Sequence, residues 1–429
     1  MPRGNAGRAG PRGVQRPAQV CSRVPGDCVF RPVRTMGYNP HAMSNDPRRS
    51  RREILAGAAG TLAASALGVG CKRQSTTEIP VGLYCSLTGA NADFGLSTKN
   101  GAVLAFDEAN QSGGLLGKRL RLAEADTRGE SNEATSAVTQ LIDREHVVAV
   151  LGEIASTLSL AGGRVCQRRR IPMISPSSTN PAVTEVGDYI FRVCFIDPFQ
   201  GEVMARFTKN SLHFDRVAVF KDQASAYSVG LADAFRRSFT GFGGTVVDEQ
   251  SYRSGETHFS AQLGSMLGHQ PQAIFIPGYY TEVALIAREA RGQGFTGRFL
   301  GGDGWSGPSI TQNDDDKLVG DFFSDGFAPE GATTAVARTF VQKYRERYHT
   351  DPNGLAALGY DAALVLFDAI RRAGSAEPAR IRAALAATRG VHGATGDITL
   401  NERRDAVKNA VILRVTETGF RYHQTVEPQ

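Results

Sequence analysis

The chain has 429 residues, 41% hydrophobic and 21% charged, which excludes a low-complexity chain and is longer than one ordinary core needs. Its formal charge of +6 is uneven: residues 1–73 hold 13 Lys and Arg against 3 Asp and Glu, so residues 74–429, with 36 basic and 40 acidic, are mildly acidic. No dense basic stripe runs through that larger part, which excludes nucleic acid as a partner.

Residues 1–42 are rich in Arg, Pro and Gly without a hydrophobic period. They are expected to be disordered or untranslated, with Met36 or Met43 as the natural start. Residues 43–71 have the layout of an export signal: Ser50-Arg51-Arg52, then an Ala/Gly-rich apolar run to Val69. The arginine pair resembles a twin-arginine (Tat) signal. The run is shorter than the ~20 apolar residues of a membrane span. Cys71, followed by Lys72 and Arg73, resembles the acylated Cys of a lipoprotein box, which would make Cys71 a lipidation site and give a membrane anchor. Gly68 stands where that pattern favours Leu, and Ala64-Ser65-Ala66 offers ordinary cleavage instead. Of the six Cys, Cys85, Cys166 and Cys194 lie in apolar surroundings of the mature chain, where buried free thiols are expected.

After a polar linker (72–77), strand-like and helix-like segments alternate. Strands are expected at Pro80–Ser86, Leu120–Asp126, Val147–Gly152 and Ile171–Ser175, and helices at Gly95–Gln111, Ser131–Arg144 and Ser156–Arg170. Asp197-Pro198 then reads as N-cap and first position of a helix reaching about Asn210. The rhythm repeats with strands Arg216–Phe220, Thr245–Tyr252, Ala273–Pro277 and Phe299–Gly302 between helices Tyr227–Phe242, Phe259–Leu267 and Glu282–Gly294. Helices Thr333–Tyr348, Gly354–Ala373 and Pro378–Arg389 and strands Asp397–Leu400 and Ala410–Val415 close the chain. This is an α/β pattern that predicts two parallel, doubly wound units.

Such sheets bind ligands beyond the carboxyl ends of their strands. In the first unit those ends lead into Leu87–Gly95, Glu153–Thr157 and Pro176–Pro181, rich in hydroxyls and helix starts that suit a carboxylate, although Ser and Thr there also serve as plain caps. In the second unit they lead to Tyr227, Gly278-Tyr279-Tyr280 and Asp303-Gly304-Trp305: rings and one acid. Trp305 alone is as suited to packing as to binding. An anion-attracting edge facing an aromatic, acidic edge suits a zwitterion. No dinucleotide fingerprint, nucleophile elbow or His/Cys metal spacing occurs, so no enzymatic activity, cofactor or metal is expected.

An ordered set of motifs then carries a resemblance: Thr88-Gly89…Phe94-Gly95, Gly113-Gly114…Gly117, Ile174-Ser175-Pro176…Asn180-Pro181, Phe191-Arg192, Asp197-Pro198…Gln200-Gly201, Gly301…Asp303…Trp305, Gly359-Tyr360-Asp361-Ala362 and Gly393…Thr395-Gly396. Over residues 78–429 the chain resembles the leucine/isoleucine/valine-binding family of periplasmic receptors for ABC transporters. The resemblance implies a type I periplasmic-binding fold of two Rossmann-like lobes with three hinge crossings, lobe 1 at 78–197 plus 328–404 and lobe 2 at 198–327 plus 405–429. It implies ligand binding by Ser156, Ser177, Ser178 and Thr179 (carboxylate and ammonium), Tyr227 and Tyr279 (cover), Asp303 (ammonium) and Phe94 (pocket wall). It further implies a branched-chain or related amino acid as ligand, an ABC transporter permease as partner, and a periplasmic or cell-envelope location. Asp303 is shorter than the Glu of some members, Glu153 adds an acid near the site, and Phe94 lacks a hydroxyl, which leaves the side-chain preference open. A ligand-sensing receptor subunit of the same fold, or a binder of an amide, urea or aromatic acid, are the alternatives.

Overall fold

A computed structural model of the protein describes residues 77–311 and 316–428. The leader expected at 1–42, the segment expected to be an export signal (43–71, with Cys71) and linker residues 72–76 lie outside those residues. The first βα series is β1 (Glu78–Cys85), α1 (Ala92–Gln111), β2 (Arg119–Asp126), α2 (Ser131–Asp143), β3 (Val150–Leu151), α3 (Ser156–Arg169), β4 (Met173–Ser175), α4 (Ala182–Glu185) and β5 (Ile190–Arg192). Its strands form one parallel sheet ordered β2-β1-β3-β4-β5. The second series is α5 (Asp197–Arg206), β6 (Arg216–Asp222), α6 (Ala226–Gly241), β7 (Thr245–Tyr252), α7 (Ser260–Gly268), β8 (Ala273–Phe275), α8 (Tyr280–Gly292), β9 (Arg298–Gly301) and β10 (Phe322–Asp325).

The chain then returns to the first sheet's neighbourhood with α9 (Ala335–Tyr348), α10 (Gly354–Ala373), α11 (Pro378–Ala386) and the small ribbon of β11 (Val391–Gly393) and β12 (Gly396–Ile398). It ends with β13 (Ala410–Thr416) and β14 (Gly419–Val426), which join the second sheet antiparallel, giving the order β14-β13-β10-β9-β8-β6-β7.

Each sheet is covered on both faces, as a parallel sheet requires. One apolar core runs from the face of the first sheet under α1 and α10 to the face of the second under α7 and α8. The opposite faces have cores of their own, against α2 and α3 (Val138, Leu158, Met173) and against α5 and α6 (Met204, Phe235, Phe239). α1 and α10 cross closely because Gly101 and Gly359 carry no side chain. A Cβ on Gly101 would stand 1.8 Å from the Ala356 carbonyl oxygen, and one on Gly359 2.2 Å from that of Thr98.

Several expectations need correction. The run expected as strand Val147–Gly152 is regular only at Val150–Leu151. Its earlier residues still bond to β1 (Val148 N–H to Pro80 O, 2.9 Å), and Gly152, at φ +115°, turns the chain out of the sheet. Asp197 is not an N-cap: Ile196 holds that position, and the Asp197 carboxylate is buried beside Thr179 and Gly230. The helix expected to run to Asn210 is α only to Arg206, then widens to a π turn over Phe207–Ser211. Strands β5, β10, β11 and β14 were not anticipated. Cys85, Cys166 and Cys194 are buried free thiols.

Candidate functional site

The carboxyl ends of the strands from both sheets meet at one narrow cavity. It is lined by Phe94, Ile154, Ser156 and Ser177 from the first sheet's junctions, Tyr227, Tyr279, Asp303 and Gly304 from the second's, and Leu355 at the start of α10. Its volume is about 10 Å3, close to the minimum that holds a single water. Of the eight residues expected from the sequence, Phe94, Ser156, Ser177, Tyr227, Tyr279 and Asp303 line it. Ser178 and Thr179 do not.

Ser178 is turned into the fold: its hydroxyl stands 2.7 Å from that of Ser159 and donates to the carbonyls of Glu153 (3.0 Å) or Ile154 (2.8 Å). Thr179 lies beside Asp197, and its carbonyl accepts the Asp197 N–H at 2.9 Å. Neither its hydroxyl nor either Asp197 oxygen has a partner at full hydrogen-bond geometry. Trp305 packs: its indole N–H donates to Ile276 O at 3.0 Å, and its side chain is fully buried.

On the first-sheet wall, Ser156 opens α3 and its hydroxyl accepts the Asn180 N–H at 3.2 Å. The Ser177 hydroxyl is buried, lines the cavity and has no partner among the described residues. The first N–H groups of α3 have no partner within the helix and carry its positive end. A small acceptor, such as a carboxylate, fits this wall.

On the opposite wall, Asp303 accepts a hydrogen bond from Gln200 Nε2 at 2.9 Å, and the Tyr227 hydroxyl lies against it. That hydroxyl accepts the Gly304 N–H at 3.0 Å, which leaves its proton for Asp303. Burial pushes the Asp303 carboxyl up to about 6, with the Gln200 and Tyr227 hydrogen bonds opposing the shift. Burial likewise pushes Asp197 up to about 8, with Asp303 adding to the effect. Among the described residues no Lys or Arg lines the cavity, so a cation there would come from a ligand.

The rings form the remaining surface. Tyr227 and Tyr279 stack at 5.4 Å with a 4° tilt, and Phe94 meets Tyr279 and Tyr280 edge-on at 5.4 and 5.0 Å. With Ile154 and Leu355 they make an apolar region between the two polar walls.

Hydrogen bonds tie the two walls together around this space. Ala226 donates its N–H to the Thr157 hydroxyl (3.0 Å) and accepts from Asn180 Nδ2 (2.7 Å). The Tyr280 hydroxyl donates to Ala90 O (2.7 Å), and Ser309 N–H to Asp93 Oδ2 (3.0 Å). Behind the 175–181 loop, the fully buried Arg192 donates to Ser178 O (2.6 Å), Pro181 O (3.1 Å), the Thr184 hydroxyl (3.0 Å) and Asp405 Oδ1 (2.6 Å).

Sequence reasoning missed Ile154, Leu355 and the part of Gln200. Gln200 stands three residues after Asp197, on the same side of α5, and that spacing was the available signal.

A family model described as "Periplasmic binding protein" matches residues 78–419. The Leu/Ile/Val-binding protein BraC3 of Rhizobium johnstonii is 29% identical over 348 residues, 80% of this chain and 92% of its own. Among solved structures, the leucine-binding protein LivK from Thermotoga maritima is 40% identical with a TM-score of 0.79, covering 82% of this chain and 99% of its own. The branched-chain amino acid transporter substrate-binding protein LivJ from Streptococcus pneumoniae, in complex with isoleucine, is 32% identical with a TM-score of 0.77, covering 82% and 100%.

Proposed function

Because the chain belongs to the leucine/isoleucine/valine-binding type of the periplasmic binding protein family, we propose that it is the extracytoplasmic solute-binding protein of an ABC transporter and captures a branched-chain or related α-amino acid in its cleft. The observation that carries this reading is the opposition of the two cavity walls. Ser156, Ser177 and the start of α3 offer donors on one side, and Asp303, held by Gln200 and Tyr227, offers a carboxylate on the other. An α-carboxylate and an α-ammonium match that pair, and Phe94, Ile154, Tyr279 and Leu355 match an apolar side chain.

Capture works by hinge closure between lobe 1 (78–197 plus 328–404) and lobe 2 (198–327 plus 405–429). The membership of the two sheets supports this division. The cavity is too narrow to admit an amino acid, so ligand enters when the walls separate. Closing excludes water, which strengthens the contacts to both charged ends. Contacts made only in the closed state draw the equilibrium toward it. The closed outer surface then presents the ligand to a permease, and the protein releases it chemically unchanged. Residues 43–71 would direct export, by a Tat-type route, with Cys71 as the acylated anchor.

A thermal-shift and calorimetric screen of the mature protein against L-leucine, L-isoleucine, L-valine, amides, urea and aromatic acids tests the reading. One of the three amino acids should bind tightly and raise the melting temperature. If only ligands without an amine bind, the amino-acid reading is wrong.

A further inference from the structure

Glu153 lies under the first-sheet wall and is fully buried. One carboxylate oxygen accepts the Ile154 and Ala155 N–H groups, both at 2.6 Å. The other accepts the hydroxyls of Ser86 and Thr127, both at 3.0 Å. Its main-chain oxygen accepts the hydroxyls of Ser159 (2.9 Å), Ser175 (2.8 Å) and Ser178 (3.0 Å). Ser86 follows β1, Thr127 follows β2, Glu153 itself lies between β3 and α3, and Ser175 ends β4. One residue thus ties together four strand ends at the edge that faces the cavity.

We propose that Glu153 is a positioning and specificity-determining residue: its buried carboxylate holds the ends of β1, β2 and β3, its main-chain oxygen holds that of β4, and the carboxylate, as a negative charge behind the hydroxyl wall, restricts the cleft to ligands that carry an ammonium. The inference rests on the reading of the cleft as an amino-acid site. Two N–H groups donate to one Glu153 oxygen, so that oxygen carries no proton, and both hydroxyls can donate to the other. Burial raises the Glu153 carboxyl above its ordinary value, and the four donors oppose that shift in favour of the charged form.

The charge sits just ahead of α3 and compensates the positive end that would attract a ligand carboxylate. It also lies within electrostatic reach of Tyr279 on the cavity wall. A monocarboxylate would therefore face Glu153 behind one wall and Asp303 on the other, with no Lys or Arg among the described residues lining the space. A zwitterion brings its own cation.

Glu153→Gln tests this. The amide oxygen can accept the two N–H groups and the amide nitrogen can donate to the two hydroxyls, so the shape of the hub is kept. The probes are L-leucine and 4-methylpentanoate, the same skeleton without the amine, titrated calorimetrically into the mature protein. A unit charge ~10 Å away at an effective dielectric near 20 is worth roughly tenfold in affinity. The ratio of the two dissociation constants, acid over amino acid, should fall by about that factor in E153Q. A hub with no charge role would weaken both probes in parallel, and an unchanged ratio in a folded variant overturns the proposal.

If E153Q does not fold, Asp303→Asn in the presence of Glu153 is decisive. With the Asp303 charge removed, 4-methylpentanoate should still bind about tenfold more weakly than L-leucine to that variant, and parity of the two overturns the proposal. Failure of the wild type to bind L-leucine, L-isoleucine or L-valine refutes the amino-acid reading itself and this inference with it.

Discussion

Lowering the pH should weaken amino-acid binding through Asp303. In the free protein burial pushes this carboxyl up to about 6 from an ordinary 3.8, a difference of roughly 3 kcal/mol against the charged form. A bound ammonium favours the charged form and draws the value back down. Affinity is therefore complete above the free-state value and is lost as pH falls through it. With a midpoint near 6, about nine-tenths of the carboxylates are charged at pH 7 and about one-tenth at pH 5, so the dissociation constant should rise roughly tenfold between them. The ligand's own carboxylate and ammonium do not titrate in that window. Asp197, pushed up to about 8, is already mostly neutral below pH 7. Asp325, pushed up to about 7 by burial, does titrate there and is influenced by Asp303. Asp303→Asn separates the two: it should bind about 30-fold or more weakly at pH 7, the lower end of what truncating a buried charge contact costs, and lose most of the pH slope. Isothermal titration of both proteins from pH 5 to 7.5 measures this. A flat wild-type profile, or an equal slope in the variant, refutes the assignment of Asp303 to the ammonium.

Two further substitutions probe the frame around the site. Gly230→Ala adds a methyl 2.5 Å from Asn180 Nδ2 and 2.8 Å from Asp197 Oδ2, where α6 approaches the first-sheet wall. It should oppose closure, lowering affinity about tenfold while leaving the ligand-free melting temperature nearly unchanged; small-angle scattering should show the ligand-bound variant staying more extended than wild type. Arg192→Met leaves the buried Asp405 carboxylate without its cation and Ser178 O without its donor. Urea denaturation should show a loss of about 3–5 kcal/mol, and a loss under ~1 kcal/mol would mean the pair is not the brace its geometry suggests.

Most of the architecture was legible because parallel strands buried on both faces write short continuous apolar runs, as at Ala273–Phe275. β10 was missed because Phe-Phe-Ser-Asp is too brief to show a period, and its strand character comes from pairing with β9 and β13. β14 was missed because its polar, half-exposed residues, such as Arg421 and Gln424, resemble a solvated tail. Residues at strand ends were well placed by the rule that ligands gather there, and six of them do line one space. The rule fixes where a residue stands but not where its side chain turns. Ser178 is one position beyond Ser177, and its hydroxyl finds the Glu153 and Ile154 carbonyls instead of the cavity. Glu153 looked like an addition to the pocket, whereas its donors come from residues far apart in sequence, Ser86 and Thr127, whose convergence no local pattern records.

The second sheet's last two strands come from residues 410–426, far along the chain from β10, with β13 against β10 and β14 outside it. During synthesis β10 therefore keeps a bare side, with donors and acceptors free to pair with any neighbouring chain, until Ala410–Thr416 has emerged. A premature stop at position 410 would delete both strands and expose Phe322 and Phe323, leaving a sticky product for proteases to clear instead of a slightly weakened receptor.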